Sequence, residues 1–214
     1  MNAPGSSQDP AMQPQRFPAI DPGHMTARQR EVADKIAGGP RGGVKGPFLA
    51  LLHHPELADR LQQVGEHLRF GTGMPQEVVE LVILVTARHW DCQYEWYAHN
   101  RLARANTRLD PAVIEAVARD EAPAGMPAEL QDAYDFCIEV HRHGQPGDRA
   151  YAAVEARFGK QGVLDLLATC GYYSLLAMVL NTARIPLPEG EPPPLGPKPS
   201  SGAIPRPAPA GPPR

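Results

Sequence analysis

Four prolines, at positions 55, 75, 111 and 127, each stand at the head of a stretch whose apolar residues recur every three to four positions. Proline suits a first helical turn, where its missing N–H is not needed. Thr26 extends the pattern, with Gln29 at the capping-box position and Gly38 as a stop for TARQREVADKIAG. In PELADRLQQVGEHLRF, residues Leu57, Leu61, Val64 and Leu68 share one face. Pro75 opens PQEVVELVILVTARHW, and Asp91 reads as a cap for CQYEWYAHNRLARA. Asp110 precedes PAVIEAVARD, and Pro127 opens PAELQDAYDFCIEVHRHG. Asp148 heads RAYAAVEARFG, and a last helix is expected over about 160–182. No stretch alternates as a half-buried strand does. The expected fold class is therefore all-α.

Three regions follow from composition. Residues 1–25 are rich in Pro, Gly, Ser and Gln and read as a flexible N-terminal segment. Residues 26–185 form the helical domain. Residues 186–214 carry 12 prolines in 29 positions, which suits an extended, disordered tail. Such a tail could serve a proline-recognising partner or simply be solvated.

The apolar share, 42%, is enough for a core, and the formal net charge is −3. That balance, with no basic run of five or more, gives no basis for binding nucleic acid or an anionic membrane. The apolar runs VVELVILVTA and GVLDLLATCGYYSLLAMVLN are broken by acids or small polar residues and read as buried helices. Three cysteines, Cys92, Cys137 and Cys170, do not make a disulfide framework. Reduced thiols in a cytoplasmic setting are expected, and MNAPGSSQDP has no secretory pattern. Cys137 and Cys170 sit in apolar helical stretches and read as core. The loop GGPRGGVKGPF lacks the spacing of a phosphate-binding loop. It reads as a helix connection, with Arg41 able to face a nearby anion.

WDCQYEWYAH, residues 90–99, concentrates the chemistry. At about 100° per residue, Cys92, Glu95 and His99 lie on one helix face, flanked by Trp96. Glu95 and His99 are one turn apart and can meet, either as a working acid–base pair or as an ordinary surface pair. A carboxylate orients an imidazole and makes it a proton donor or acceptor near neutral pH. Glu80, inside VVELVILV, is either a buried acid needing a partner or a first-turn acid favoured by the helix dipole. Cys92, at a helix start, sits where a thiolate is favoured, with Asp91 opposing.

The order Glu80, Cys92, position 95, His99 resembles the carboxymuconolactone decarboxylase and alkylhydroperoxidase D-like superfamily. In its peroxidase branch a glutamate, eleven residues, C-x-x-C and a histidine four residues on form the motif. Here position 95 is Glu. The segment ELVILVTARHWDCQYEWYAH is the specific match; GPRGGVKGPF and GYYSLLAMVLN resemble the family more weakly. The resemblance implies an alkylhydroperoxidase D-like helical bundle, assembled as a homo-oligomer, trimer or hexamer, with clefts near subunit contacts. It implies decarboxylation of 4-carboxymuconolactone, or a related reaction on a small carboxylated lactone or ring acid, without metal or organic cofactor. In that reading His99 gives the proton, Glu95 or Glu80 is its partner, and Arg88 anchors a carboxylate. Trp96 and Tyr94 wall the pocket. Two alternatives stand beside it: a one-cysteine peroxidase using Cys92 with an external thiol, and a non-enzymatic oligomeric scaffold. Metal ligation by Glu80, Glu95 and His99 lacks the paired Glu-x-x-His repeat of di-iron bundles, and none is expected there.

Overall fold

The computed structural model describes residues 14–198. Eight α-helices follow one another: α1 (Ala27–Gly38), α2 (Pro47–Leu51), α3 (Pro55–Glu66), α4 (Gln76–His89), α5 (Gln93–Asn106), α6 (Pro111–Ala118), α7 (Ala128–His143) and α8 (Asp148–Ala183). A 3-10 turn, Pro22–His24, precedes α1, and a π-helical turn, His67–Gly71, ends α3. No strand occurs among the described residues, so the all-α expectation holds.

The local signals act as chemistry requires. The Thr26 hydroxyl accepts from the Gln29 N–H, and the Gln29 side chain accepts from the Thr26 N–H, closing the capping box. Asp110 accepts from the Ala112 N–H. His54 caps α3 by accepting from the Leu57 N–H. At α5 the cap differs from expectation: Cys92 holds that position, and Asp91 takes a left-handed backbone, φ 47°. The two expected helices after residue 148 run on as α8, interrupted at Gly159, whose φ is 68°.

Helix α4 is the axle of the bundle. Residues Val78 through Arg88 are all buried, because α5, α6, α7 and α8 pack around it. Helix α8 is long and apolar enough to cross a membrane, yet half of its most apolar window is buried against the other helices. That half-buried stripe is the pattern of a core helix.

The tails depart from expectation where they are described. The Arg16 N–H donates to the Ala183 carbonyl at 3.0 Å, and Phe17 packs edge-on against His53. Between 186 and 198 the chain is clamped rather than free. Leu195 is buried, and its N–H and carbonyl both bond the Gln93 amide, at 2.9 and 3.1 Å. Proline removes donors from this segment, so a side chain supplies the pairing that a backbone cannot. The rest of both expected tails, 1–13 and 199–214, lies outside the described residues.

Candidate active site

Helices α4 and α5 form an antiparallel pair joined by the turn at Trp90–Cys92. The pairing brings Glu80 to His99. The His99 Nδ1 lies 2.8 Å from Glu80 Oε2, and both side chains are buried, His99 at 8% and Glu80 at 4% exposure. A carboxylate only accepts, so Nδ1 donates and Nε2 is the ring atom left for proton transfer. Tyr173 of α8 stands edge-on to the imidazole, 5.1 Å between ring centres, and fixes its plane.

Glu95 is not the partner that its spacing on α5 suggested. It makes no hydrogen bond among the described residues, and its Oε2 is buried without a partner. Burial pushes its carboxyl well above the ordinary value, which favours the protonated acid. The reason for the exchange of partners is tertiary. Side chains one turn apart are neighbours, but an equally buried acid on α4 meets the same imidazole from across the bundle and takes the hydrogen bond.

Both Glu95 and His99 line a cavity of about 620 Å³, a size that suits a small organic ligand. Its other walls come from the glycine loop, the π-helical turn, α5 and α8. Arg41, Lys45, Arg69 and Arg101 all border it, and no acid other than Glu95 does. Arg41 is threaded between elements: its Nη2 donates to the Tyr172 hydroxyl at 3.4 Å, and its guanidinium lies 4.8 Å over the Phe48 ring. A Cβ on Gly65 would collide with both Arg41 and the Tyr172 hydroxyl, so glycine there makes the approach possible. Gly46, at φ 57°, is required twice over, since a Cβ would also meet Tyr94 at 2.8 Å. The glycine loop is therefore a cavity wall as well as a helix connection. Three buried polar atoms of the lining residues have no partner among the described residues: Glu95 Oε2, Tyr173 Oη and Arg41 Nε.

Other expected site residues are brought elsewhere. Tyr94 lines the cavity. Trp96 is 2% exposed and belongs to the main core, so it supports the wall from behind. Cys92 is fully buried in a satellite cluster with Ala177 and Leu180. Burial pushes its thiol up to about 12, the reverse of the expected activation. Arg88 does not reach the cavity. Its Nη1 donates to the Gly196 carbonyl at 2.9 Å and lies 3.2 Å from Asp91 Oδ1. The role given to Arg88 is open to Arg41 and Arg69 instead. Arg41 carried a sequence signal through its loop and Tyr173 a weak one through GYYSLLAMVLN; Arg69 carried none, since only the bundle brings it to the cavity.

An α4–α5 pair that buries a glutamate against a histidine beside a cavity, inside an all-helical bundle, defines the class. Residues 55–141 match the model of the Carboxymuconolactone decarboxylase family. Among solved structures, the chain is similar to the alkylhydroperoxidase AhpD core of an uncharacterized peroxidase-related protein from Ralstonia eutropha JMP134. The TM-score is 0.64 at 20% identity, covering 78% of this chain and 89% of that one; this likeness speaks for the fold. Residues 55–141 thus resemble that family, and the helical fold is alkylhydroperoxidase D-like. No curated protein matches its sequence.

Proposed function

We propose that the protein is a cofactor-free acid–base enzyme that decarboxylates a small carboxylated lactone or ring acid. The observation that carries this reading is the cavity itself: an imidazole held from behind by the buried Glu80, the Glu95 carboxyl with its raised proton affinity, and four cations border or serve the same 620 Å³ space. The cations suit an anionic substrate, and the partnerless Arg41 Nε and Tyr173 hydroxyl suit its carboxylate or carbonyl oxygens.

The chemistry divides among the residues. The carbon–carbon bond to the substrate carboxylate breaks, CO2 leaves, and the electron pair passes into the conjugated lactone. The neutral Glu95 carboxyl donates a hydrogen bond to the oxygen that gathers this charge, as an oxyanion donor does. His99, protonated at Nε2 and oriented by Glu80 through Nδ1, gives its proton to carbon and is re-protonated from water. The dry surroundings strengthen each of these interactions.

Thiol chemistry at Cys92 is disfavoured by the same facts. A peroxidatic sulfur must be an exposed thiolate, and Cys92 is buried and protonated. The exposed Leu164 and Met178 on α8 support a homo-oligomer, which light scattering of the purified protein would reveal as a mass above 23.2 kDa. The function is tested by CO2 release from 4-carboxymuconolactone and related carboxylated lactones. Turnover lost in His99→Ala and kept in Cys92→Ala supports it. Peroxide consumption with a dithiol that vanishes in Cys92→Ala contradicts it. A protein that turns over neither substrate class, and binds a partner regardless of His99→Ala, points to the scaffold reading.

A further inference from the structure

A second cluster of reactive side chains lies outside this cavity. Cys137 and His141 stand one turn apart on α7, and Cys170 faces them from α8. The two sulfurs are 3.3 Å apart, and one donor atom from each of the three residues lies within 4.8 Å of the other two. Both thiols are buried and His141 is half-buried. The Thr86 hydroxyl oxygen anchors the imidazole: it lies 2.8 Å from the Val82 carbonyl and 2.9 Å from His141 Nε2, which leaves Nδ1 as the ring's other nitrogen. A metal-ligating histidine is commonly anchored in this way through its other nitrogen. His89 stacks on the same ring at 4.4 Å.

We propose that Cys137, Cys170 and His141 bind one thiophilic d10 cation, Zn2+ or Cu+, through the two sulfurs and Nδ1. Two thiolates and an imidazole are the donors such ions select. Two thiolates also cancel the charge of Zn2+, so the filled site is neutral where a charge would be costly. The geometry is close to what coordination needs. Zinc–sulfur bonds of about 2.3 Å at near-tetrahedral angles put sulfurs about 3.8 Å apart, an opening of about half an ångström. A disulfide between the same sulfurs needs about 2.05 Å, a larger closure. Access separates the two chemistries as well. The nearest cavity, about 160 Å³, is bordered by His141 but by neither cysteine. An oxidant would have to cross packed core, whereas a cation enters as the chain folds around it.

The test uses the full chain. Protein is produced with zinc or, in a separate arm, with copper under reducing conditions, and the metal per chain is measured by mass spectrometry after desalting. One ion per chain is expected in one of the two arms. Cobalt added to stripped wild-type protein gives a sulfur-to-cobalt charge-transfer band, and a chelator lowers the thermal midpoint of the loaded form. The ion and the band are lost in Cys170→Ala and His141→Gln and kept in Cys92→Ala. The wild-type measurement stands alone if a core variant fails to fold. Folded wild type without ion in either arm and without the cobalt band overturns the proposal. So does an ion retained in Cys137→Ala/Cys170→Ala, or a mass two hydrogens lighter, which marks a disulfide.

Discussion

Helix α4 serves two polar clusters that differ in kind. Glu80 reaches to His99 on α5, and Thr86, six residues later and about 120° around the helix, reaches to His141 on α7. In both, a side chain of the buried axle holds a histidine. At His99 the holding group is an acid, and the imidazole opens on a cavity ringed by cations. At His141 it is a hydroxyl, and the imidazole stands beside two buried sulfurs. One helix thus holds a carboxylate-bound histidine on one side and a soft, dry donor set on the other. The lesson is that the partner across the bundle, and not the histidine, decides the chemistry.

The largest expected effect is at His99. Replacing it with Ala removes the proton carrier, and kcat should fall about 10²- to 10⁴-fold, read by CO2 release, with helix content by circular dichroism unchanged. Were the loss no greater than at Cys92, the contrast between the two histidine clusters and the thiol would fail.

Next is Glu95→Leu, which fills similar space and removes the hydroxyl donor. Losing an oxyanion donor should cost about 10²- to 10³-fold in kcat. Stability should move the other way. Glu95 has a folded value raised by burial, so the folded state holds a proton that the unfolded state releases. Stability therefore falls as pH rises from the ordinary carboxylate value toward the folded one. Glu95→Leu should flatten that slope and raise the thermal midpoint at neutral pH, measured by melting across pH 4–8.

Arg41→Ala sharpens the assignment of the cation ring. Loss of a charged hydrogen bond to substrate, worth about 1.5–3 kcal/mol, should raise KM about 10- to 100-fold and change kcat less. Arg88→Ala should leave KM unchanged in steady-state kinetics, since Arg88 is turned toward Gly196 and Asp91. The smallest effect is expected at Cys92→Ala: activity within about threefold, under 1 kcal/mol of barrier. Its native thiol should resist alkylation at pH 8, as burial requires.

The helices were legible because their caps and prolines act within a few residues. The Thr26–Gln29 box, Asp110 and the apolar run of α4 each carry their own instruction. Glu80 and His99 were legible as candidates, one as an acid inside an apolar run and the other from the helix face it shares with Glu95, but the choice of Glu80 over Glu95 depends on which buried carboxyl the bundle pairs. Arg88 read as a carboxylate anchor because it is a cation inside the segment that resembles the family. Its side chain leaves on the opposite side, where the chain at 195–198 returns to meet it. That return was illegible in a proline-rich stretch, because its anchor is one buried leucine and the amide of Gln93. The cluster at Cys137, His141 and Cys170 was illegible for a similar reason: 33 residues separate the sulfurs, and only the packing of α7 on α8 joins them.

The central claim is that the cavity works by acid–base chemistry through His99 with no thiol. Its most direct test is the single-turnover yield of CO2 from 4-carboxymuconolactone, compared among wild type, His99→Ala and Cys92→Ala. Release by wild type and Cys92→Ala, with none above background from His99→Ala, is the predicted result. Release that survives His99→Ala and disappears with Cys92→Ala would contradict it.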